Sequence, residues 1–416
     1  MKSVVCCAVN NMKDSGIKWL GMVPKHWVKG ILSSYFYQQK ELNLDLREQN
    51  LLSLSYGKII DKDITTKEGL LPKSFDNYNV IQKGDIVFRL TDLQNDKKSL
   101  RTGLCKRNGI ITSAYVTIRK KIELYPDFFA YLFHIYDICK VFYGLGSGVR
   151  QGLNFNELKK LPLISPPTLT EQRAIADWLD AKCADIDAAI ELQQRMIDKL
   201  KAYKTAVIHQ AVTKGLDKNA NLKDSGVQWI GEVPKHWEVC HLKRVVTINN
   251  GSDYKHCQVE PCIYPVIGSG GIFTYASSYI YDGEVLLLGR KGTIDKPMYY
   301  NGKFWTVDTM FYAVSNDNAI CKYLYYHSML IPFARFSTST ALPSMTQTDL
   351  KNNLICLPPL SEQCAIADWL DAKCADIDAT IAIKEQKQEK LKAYKKTIIF
   401  EYVTGKKQVA NINKQL

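Results

Sequence analysis

Residues 171–188 read Glu-Gln-Arg-Ala-Ile-Ala-Asp-Trp-Leu-Asp-Ala-Lys-Cys-Ala-Asp-Ile-Asp-Ala, and residues 362–379 repeat them at 17 of 18 positions. A second stretch, Asp14-Ser-Gly-Ile-Lys-Trp-Leu-Gly-Met-Val-Pro-Lys-His-Trp27, returns in residues 224–237; we call these two copies the entry motifs. Between the repeated stretches, residues 30–150 and 240–345 show little similarity to each other. The chain is therefore an imperfect internal repeat in which fixed and variable segments alternate.

Each copy of the first stretch is expected to begin one long helix, from Glu171 to about Val212 in the first copy. Pro-Pro pairs precede both copies, and Gly215 and Gly405 are natural helix ends. Apolar residues follow at alternating spacings of three and four, which is typical of a coiled coil. The predicted coiled-coil or partner-facing positions are Ile175, Trp178, Leu179, Ile186, Ile190, Ile197, Leu200, Ile366, Trp369, Leu370, Ile377, Ile381, Leu391 and Ile398.

An antiparallel pairing of the two helices, with one globular body at each end, is the most economical arrangement. The alternative is that each helix packs on its own neighbouring domain as an ordinary amphipathic helix. A helix of roughly 60 Å exceeds what a small domain can cover, which favours the paired arrangement.

The variable segments alternate strand-like runs, such as Asp85–Leu90 and Glu284–Leu288, with helical runs, such as Phe128–Phe142 and Lys322–Leu330. We therefore predict an α+β protein, in which two α/β domains are separated by two long helices that pair as an antiparallel coiled coil with a pseudo-two-fold repeat. The predicted boundaries are 1–165 for the first domain, 166–214 for the first helix, 215–357 for the second domain, 358–410 for the second helix and 411–416 for a tail.

The charge favours a polyanionic partner. Among 416 residues, 55 Lys and Arg oppose 42 Asp and Glu, a net charge of +13, and residues 1–165 alone carry 25 against 15. Lys and Arg suit phosphate contacts, Arg also reads guanine, and Asn or Gln reads adenine. The candidate DNA-binding residues are Arg89, Lys97, Lys98, Arg101, Lys106, Arg107, Arg150 and Gln151 in the first domain, and Lys255, Arg290, Lys291, Thr293, Lys296 and Arg335 in the second. For each of them, a solvated surface role is the alternative.

Enzymatic signatures are weak. Gly283–Thr293 only resembles a phosphate-binding loop, with the wrong spacing, and the glycine-rich run 143–148 is better read as a turn. His241, His256, Cys257 and Cys262 lack zinc-ligand spacing, so we expect no metal and no catalytic residues. Sparse cysteines and the lack of an apolar stretch of transmembrane length predict a soluble, cytoplasmic protein without a membrane partner.

Together these motifs resemble the specificity subunit of type I restriction–modification systems. The resemblance rests on Trp-x-Gly-x-Val-Pro-x-His-Trp in both entry motifs, on the Glu-Gln helix starts after Pro-Pro, and on the closing segments 153–162 and 345–354. It implies a non-catalytic subunit whose two target-recognition domains each read half of a bipartite, asymmetric site on double-stranded DNA, with the paired helices as a ruler. It also implies two methyltransferase subunits that carry S-adenosylmethionine, restriction subunits that use ATP and Mg²⁺, and no cofactor on this chain.

Two alternatives stay open at this point. One is a stand-alone enzyme with a cryptic nuclease site in a variable domain. The other is a coiled-coil adaptor that joins two protein-binding modules, against which the basic residues between positions 89 and 107 argue.

Overall fold

The computed structural model describes residues 11–63, 74–93, 100–145, 152–335 and 343–409. Its helices are α1 Leu32–Tyr35, α2 Pro126–Ile138, α3 Phe155–Leu158, α4 Leu169–Lys214, α5 Cys321–Ser328, α6 Gln347–Lys351 and α7 Leu360–Val403. The two long helices α4 and α7 begin slightly before the predicted Glu-Gln positions because Thr168 and Pro359 precede their first turns. The Glu171 amide donates to Thr168 Oγ1, and the Gln363 amide donates to the Pro359 carbonyl.

The chain divides into two compact units, Met1–Leu192 with Lys387–Leu416 (unit 1) and Gln193–Gln386 (unit 2). These units differ from the boundaries expected at 165, 214 and 357, since each contains one variable segment together with parts of both long helices. The reason is packing: apolar residues of α4 and α7 belong to the same buried cores as the sheets.

Unit 1 is built on a four-stranded sheet of order β4-β11-β8-β9, covered by α2. Its strands are β1 Met12–Asp14, β2 Met22–Pro24, β3 Val28–Ile31, β4 Phe36–Gln39, β5 Leu52–Ser55, β6 Lys58–Asp61, β7 Asn79–Ile81, β8 Ile86–Phe88, β9 Thr102–Leu104, β10 Gly109–Ile111, β11 Val116–Lys120 and β12 Pro162–Ser165. Six phenylalanines among the described residues of this unit are fully buried, and Phe128, Phe129 and Phe133 lie on α2. This aromatic face of α2 fills the space between the sheet and the long helices.

Unit 2 is built on a six-stranded sheet of order β16-β21-β19-β20-β17-β18. Its strands are β13 Leu222–Asp224, β14 Glu232–Pro234, β15 Glu238–His241, β16 Val246–Asn250, β17 Tyr264–Gly268, β18 Gly271–Ala276, β19 Tyr281–Gly289, β20 Met298–Thr306, β21 Met310–Ser315 and β22 Leu354–Leu357. The sheet is larger than that of unit 1, yet two pairings recur in both units. The entry motif forms a hairpin, β1-β2 or β13-β14, and the strand after it pairs antiparallel with the closing strand, β3-β12 or β15-β22.

Within each unit the long helices pair antiparallel, which confirms the predicted coiled coil. In unit 1, Lys395 Nζ lies 2.7 Å from the Asp187 carboxylate, and Trp178 stacks on Tyr402 with a centroid distance of 3.9 Å. From Trp178 to Asp187 the residue numbers rise along α4, and the numbers of their contacts on α7 fall from Tyr402 to Lys395, as an antiparallel pair requires. In unit 2, Lys204 Nζ lies 2.6 Å from Asp378 Oδ2 beside an apolar cluster. That cluster consists of Ile197, Leu200, Ile377 and Ile381.

The other predicted coiled-coil positions are buried or partly buried, with one exception. Ile175, Trp178, Leu179, Ile186, Ile190, Leu391 and Ile398 lie in or against the core of unit 1, and Ile366 and Leu370 lie in that of unit 2. Trp369 is 41% exposed, so it does not pack between the two helices, and its assignment as a partner-facing position stays a prediction. The alternative in which each helix packs only on its own domain is also wrong, because α4 and α7 contact each other in both units. No described helix is long and apolar enough to cross a membrane.

Acid should destabilise unit 2 through His327, at the end of α5. Burial lowers the pKa of this imidazole from 6.5 to about 3, and its Nε2 accepts a hydrogen bond from the Cys356 amide at 3.0 Å. The unfolded chain therefore binds this proton near pH 6.5 and the folded chain only near pH 3, so stability is lost as pH falls through that window. We expect about 2 kcal/mol of this loss between pH 7 and pH 5 in urea unfolding. His327→Gln should flatten the pH dependence, and an unchanged slope in this variant would contradict the assignment.

Candidate nucleic-acid interface

The two fixed stretches of the sequence meet in each unit. Trp27 Nε1 donates to Glu171 Oε1 at 3.0 Å, and His26 Nε2 lies 3.0 Å from Glu171 Oε2. In unit 2, Trp237 Nε1 and His236 Nε2 contact Glu362 at 2.9 and 2.8 Å. The glutamate of the helix start thus binds the His-Trp pair of the entry motif in both units, so this pair joins the entry motif to the long helix.

The glutamine of each helix start links the helix to the variable segment. Gln172 Oε1 accepts from the Tyr125 amide at 2.9 Å, just before α2, and Gln363 Oε1 accepts from the Ile320 amide at 2.8 Å, just before α5. Each side-chain amide also donates to the carbonyl of the first proline of its Pro-Pro pair. Sequence reasoning missed these joints, although the doubled occurrence of both motifs was a signal for them.

The two glutamates offer a matched pair of substitutions. The Glu171 side chain is 11% exposed and that of Glu362 is 40% exposed. Glu171→Ala leaves a buried indole N–H without its acceptor and should cost about 2 kcal/mol, whereas Glu362→Ala should cost about 1 kcal/mol because water can replace the carboxylate. Urea unfolding of both variants checks this order, and an equal or reversed order would contradict it.

A loop after a central strand occupies the same place in both units. These strand-end loops are residues 89–93 after β8 and residues 290–296 after β19. The Leu153 amide donates to the Leu90 carbonyl, and the Met345 amide donates to the Arg290 carbonyl, both at 2.9 Å. A capping box then starts the short helix α3 or α6. Leu90 and Arg290 are therefore equivalent positions, and the two loops differ in sequence on a common frame.

The strand-end loop of unit 2 gathers most of the predicted cations of that domain. Lys291 and Lys296 are exposed, and Thr293 is half-buried. Arg290 is half-buried, with Nη1 3.3 Å from the Asp308 carbonyl and its guanidinium 5.8 Å from the centre of the Phe311 ring. Two further predicted residues are exposed on separate short turns, Lys255 on 255–257 and Arg335 on 333–335.

Two polar residues beside this loop were missed by sequence reasoning. Gln347 Nε2 donates to Asn250 Oδ1 at 3.2 Å. The next residue, Gly251, donates its amide to the Met310 carbonyl. The neighbouring Thr309 carbonyl accepts hydrogen bonds from the Arg290 and Lys291 amides of the loop. Side-chain amides are the groups that read adenine edges. Asn250 reaches this loop because β16 pairs with β21, a strand about 60 residues later in the sequence.

The predicted cations of unit 1 do not form one cluster. Arg89 is half-buried at one end of the β8-β9 pair, while Lys106 and Arg107 are exposed at the other end, where Arg107 pairs with Asp61 at 2.5 Å. Arg101 is fully buried, so its prediction as a DNA contact is wrong. Its guanidinium is bound by backbone carbonyls of the same unit, which leaves no surface for a base or a phosphate. Four predicted residues, Lys97, Lys98, Arg150 and Gln151, lie outside the described residues.

Lys106 instead lines a cleft of about 550 Å³ at the start of α2. Its charged lining residues are Lys83, Lys106, Arg119, Lys120, Asp85 and Asp127. Arg119 donates twice to Asp85 at 2.8 Å, which raises the pKa of the guanidinium, and burial raises the pKa of Asp127. Cations therefore outnumber carboxylates in this cleft.

Metal ligands do not gather in the part of the chain that the structure describes: no group of three or more His, Cys, Asp or Glu could hold an ion there. The expectation that this chain binds no metal or cofactor stays a prediction. The ten cysteines within the described ranges are free thiols.

Comparison with known proteins gives one family. A family model for the type I restriction modification DNA specificity domain matches residues 65–202 and 234–393. The MjaVIII type I restriction enzyme specificity subunit of Methanocaldococcus jannaschii is 28% identical over 348 residues, 74% of this chain and 76% of that protein. The EcoBI specificity subunit of Escherichia coli is 24% identical over 44% of this chain and 42% of its own length.

Solved structures share the fold. A chain from a type I R-M system, solved to explain complex assembly and conformational transition, has a TM-score of 0.71 at 17% identity and covers 92% of this chain and 98% of its own. The HsdS subunit from Thermoanaerobacter tengcongensis has a TM-score of 0.52 at 16% identity, with the same coverage.

Proposed function

The chain belongs to the type I restriction–modification DNA specificity family, and we propose that each of its units reads one half of a bipartite, asymmetric site on double-stranded DNA. One observation carries the proposal. The strand-end loops occupy equivalent places on a repeated frame, yet from the equivalent positions onward they read Leu90-Thr91-Asp92 in unit 1 and Arg290-Lys291-Gly292 in unit 2. Two different loops on one frame are suited to two different base sequences.

Phosphate and base contacts are divided among the described residues by their chemistry. Lys291 and Lys296 are exposed lysines, which suit phosphate oxygens as point charges. Arg290, Asn250 and Gln347 carry the planar groups that bind guanine or adenine edges in two-point contacts. In this proposal the lysines supply affinity and the planar groups supply the choice of bases.

The partners follow from the same proposal. Two methyltransferase subunits that bring S-adenosylmethionine, and restriction subunits that use ATP and Mg²⁺, would act on the DNA in the cytoplasm, while this chain holds no cofactor. The paired helices would set the unread spacer between the two halves. The family of the chain favours this function over a stand-alone nuclease or a protein adaptor.

Co-expression with a methyltransferase subunit of the same system, followed by methylation-sensitive long-read sequencing of the host DNA, tests the proposal. We expect one split motif with two defined halves and an unread spacer. The control is the methyltransferase subunit expressed without this chain, which should leave no such motif. A contiguous motif, or a methyltransferase that does not copurify with this chain, would contradict the proposal.

A further inference from the structure

Arg101 is a buried arginine whose terminal guanidinium nitrogens donate hydrogen bonds to backbone carbonyls of one loop. Its side chain is fully buried, and the residue directly precedes β9. Nη1 lies 2.7 Å from the Thr91 carbonyl and 3.2 Å from the Arg89 carbonyl, and Nη2 lies 3.2 Å from the Asp92 carbonyl. All three carbonyls belong to the strand-end loop of unit 1.

The rest of the residue is anchored in the core beneath that loop. Nε donates to the Tyr143 hydroxyl at 3.1 Å, and the backbone amide of Arg101 donates to the buried Asp137 on α2. A buried guanidinium is costly unless its donors are satisfied, so this set of bonds is a specific arrangement and not an incidental contact. The loop is therefore tied to α2 through a single residue, whose side chain binds the loop and whose backbone amide binds Asp137.

The loop needs such a tie because its backbone is not in a relaxed conformation. Asp92 has a φ of +57°, in the left-handed region that residues other than glycine seldom adopt. The carbonyl of this same residue is one of those bound by Arg101. Strain of this kind persists where surrounding contacts hold the backbone in place.

Unit 2 fixes its equivalent loop by different means. The Arg290 and Lys291 amides donate to the Thr309 carbonyl, and the Gly292 amide donates to the Pro343 carbonyl. The residue with positive φ in that loop is Gly292, at +83°, and glycine adopts this conformation without steric strain because it has no Cβ atom. Backbone hydrogen bonds and a glycine thus hold the loop in unit 2, whereas the Arg101 guanidinium holds it in unit 1.

We propose that Arg101 is a positioning residue that fixes the strand-end loop of unit 1 and thereby sets the base preference of the first half of the recognition site. The proposal rests on the proposed function, since it assigns a half-site to this loop. Arg101 acts through the loop backbone and does not touch DNA.

Arg101→Lys in the complex with the methyltransferase subunit tests the proposal. Lysine keeps the charge but replaces a planar fork by a point charge, so it cannot bind the three carbonyls in the same geometry. We expect discrimination against wrong bases in the first half to fall about tenfold, as measured by sequencing of methylated host DNA, because buried hydrogen bonds to a charge are lost. The second half, read by unit 2, is the internal control and should stay unchanged.

Arg47→Lys is the matched control, because Arg47 is an exposed arginine of unit 1 that pairs with Glu41 at 2.7 Å. It should leave both halves unchanged. Should Arg101→Lys fail to fold, Tyr143→Phe removes the hydroxyl that accepts from Nε and should relax the first half alone to a smaller extent.

An unchanged first half in folded Arg101→Lys, or in Tyr143→Phe where the lysine variant is unfolded, overturns the proposal. Equal relaxation of both halves also overturns it, since a general loss of stability has that effect. Lack of a split motif with the unaltered chain would instead overturn the proposed function itself, so the two failures are distinguishable.

Discussion

Replacing Lys291 and Lys296 together by alanine is expected to weaken binding of duplex DNA about a hundredfold, roughly tenfold for each lost phosphate contact. Both lysines are exposed on the strand-end loop of unit 2, and neither is part of a buried core. The loss should apply to all DNA sequences alike, because phosphate contacts carry no base information. Titration of the methyltransferase complex with duplex at several salt concentrations checks this. The slope of log K against log salt should become less steep by about two.

Lys218→Ala with Lys235→Ala is the matched control for this double variant. Both are exposed lysines of unit 2 that lie outside the strand-end loop, so the change in net charge is the same. The control should bind DNA within a small factor of the unaltered chain. An equal loss in both double variants would mean that net charge, and not this loop, governs binding.

Gly405→Ala is expected to destabilise unit 1 by about 3 to 4 kcal/mol. Gly405 follows α7 with a φ of +70°, and a methyl group on it would overlap the Pro24 ring and lie 3.2 Å from Trp27. The end of the second long helix thus packs directly on the entry motif of unit 1. The added methyl group must displace a proline ring, which cannot move aside as a flexible side chain can. Urea unfolding of the purified chain measures the cost.

Gly21→Ala separates the clash from the backbone strain. Gly21 lies in the same unit with a φ of +68°, and a methyl group there would meet no atom within 4 Å. This control should cost about 1 kcal/mol, the penalty of the left-handed backbone alone. Equal costs for the two variants would show that the helix end does not rest on the entry motif as described.

The long helices were predictable because their evidence is local. The residues that start each helix, end it and form its apolar face all lie in or next to that helix in the sequence. The observed helix ends differ from the expected ones by only a few residues. Partner contacts are less local. Trp178 and Trp369 stand in identical sequence, but Trp178 stacks on Tyr402, whereas the residue at the equivalent place in unit 2 is the small Ala211. The exposure of Trp369 therefore depended on a residue far away in the sequence.

The candidate interface was harder to predict than the helices. A basic composition indicates a polyanionic partner, but it does not tell which cations are buried. Arg101 looked like its basic neighbours in the sequence, and only the folded loop shows that its guanidinium binds backbone carbonyls. Asn250 and Gln347 were missed for the converse reason, since two strands and a short helix must fold before they meet.

An exchange of residues 30–150 for the corresponding segment of another specificity subunit tests the central claim most directly. The exchanged chain would be co-expressed with its methyltransferase subunit, and the methylated motif would be read by long-read sequencing of the host DNA. If each unit reads one half of the site, the first half of the motif alone is replaced, and the second half and the spacer stay as they were. A change in both halves, or an unchanged motif in an active complex, would contradict the account.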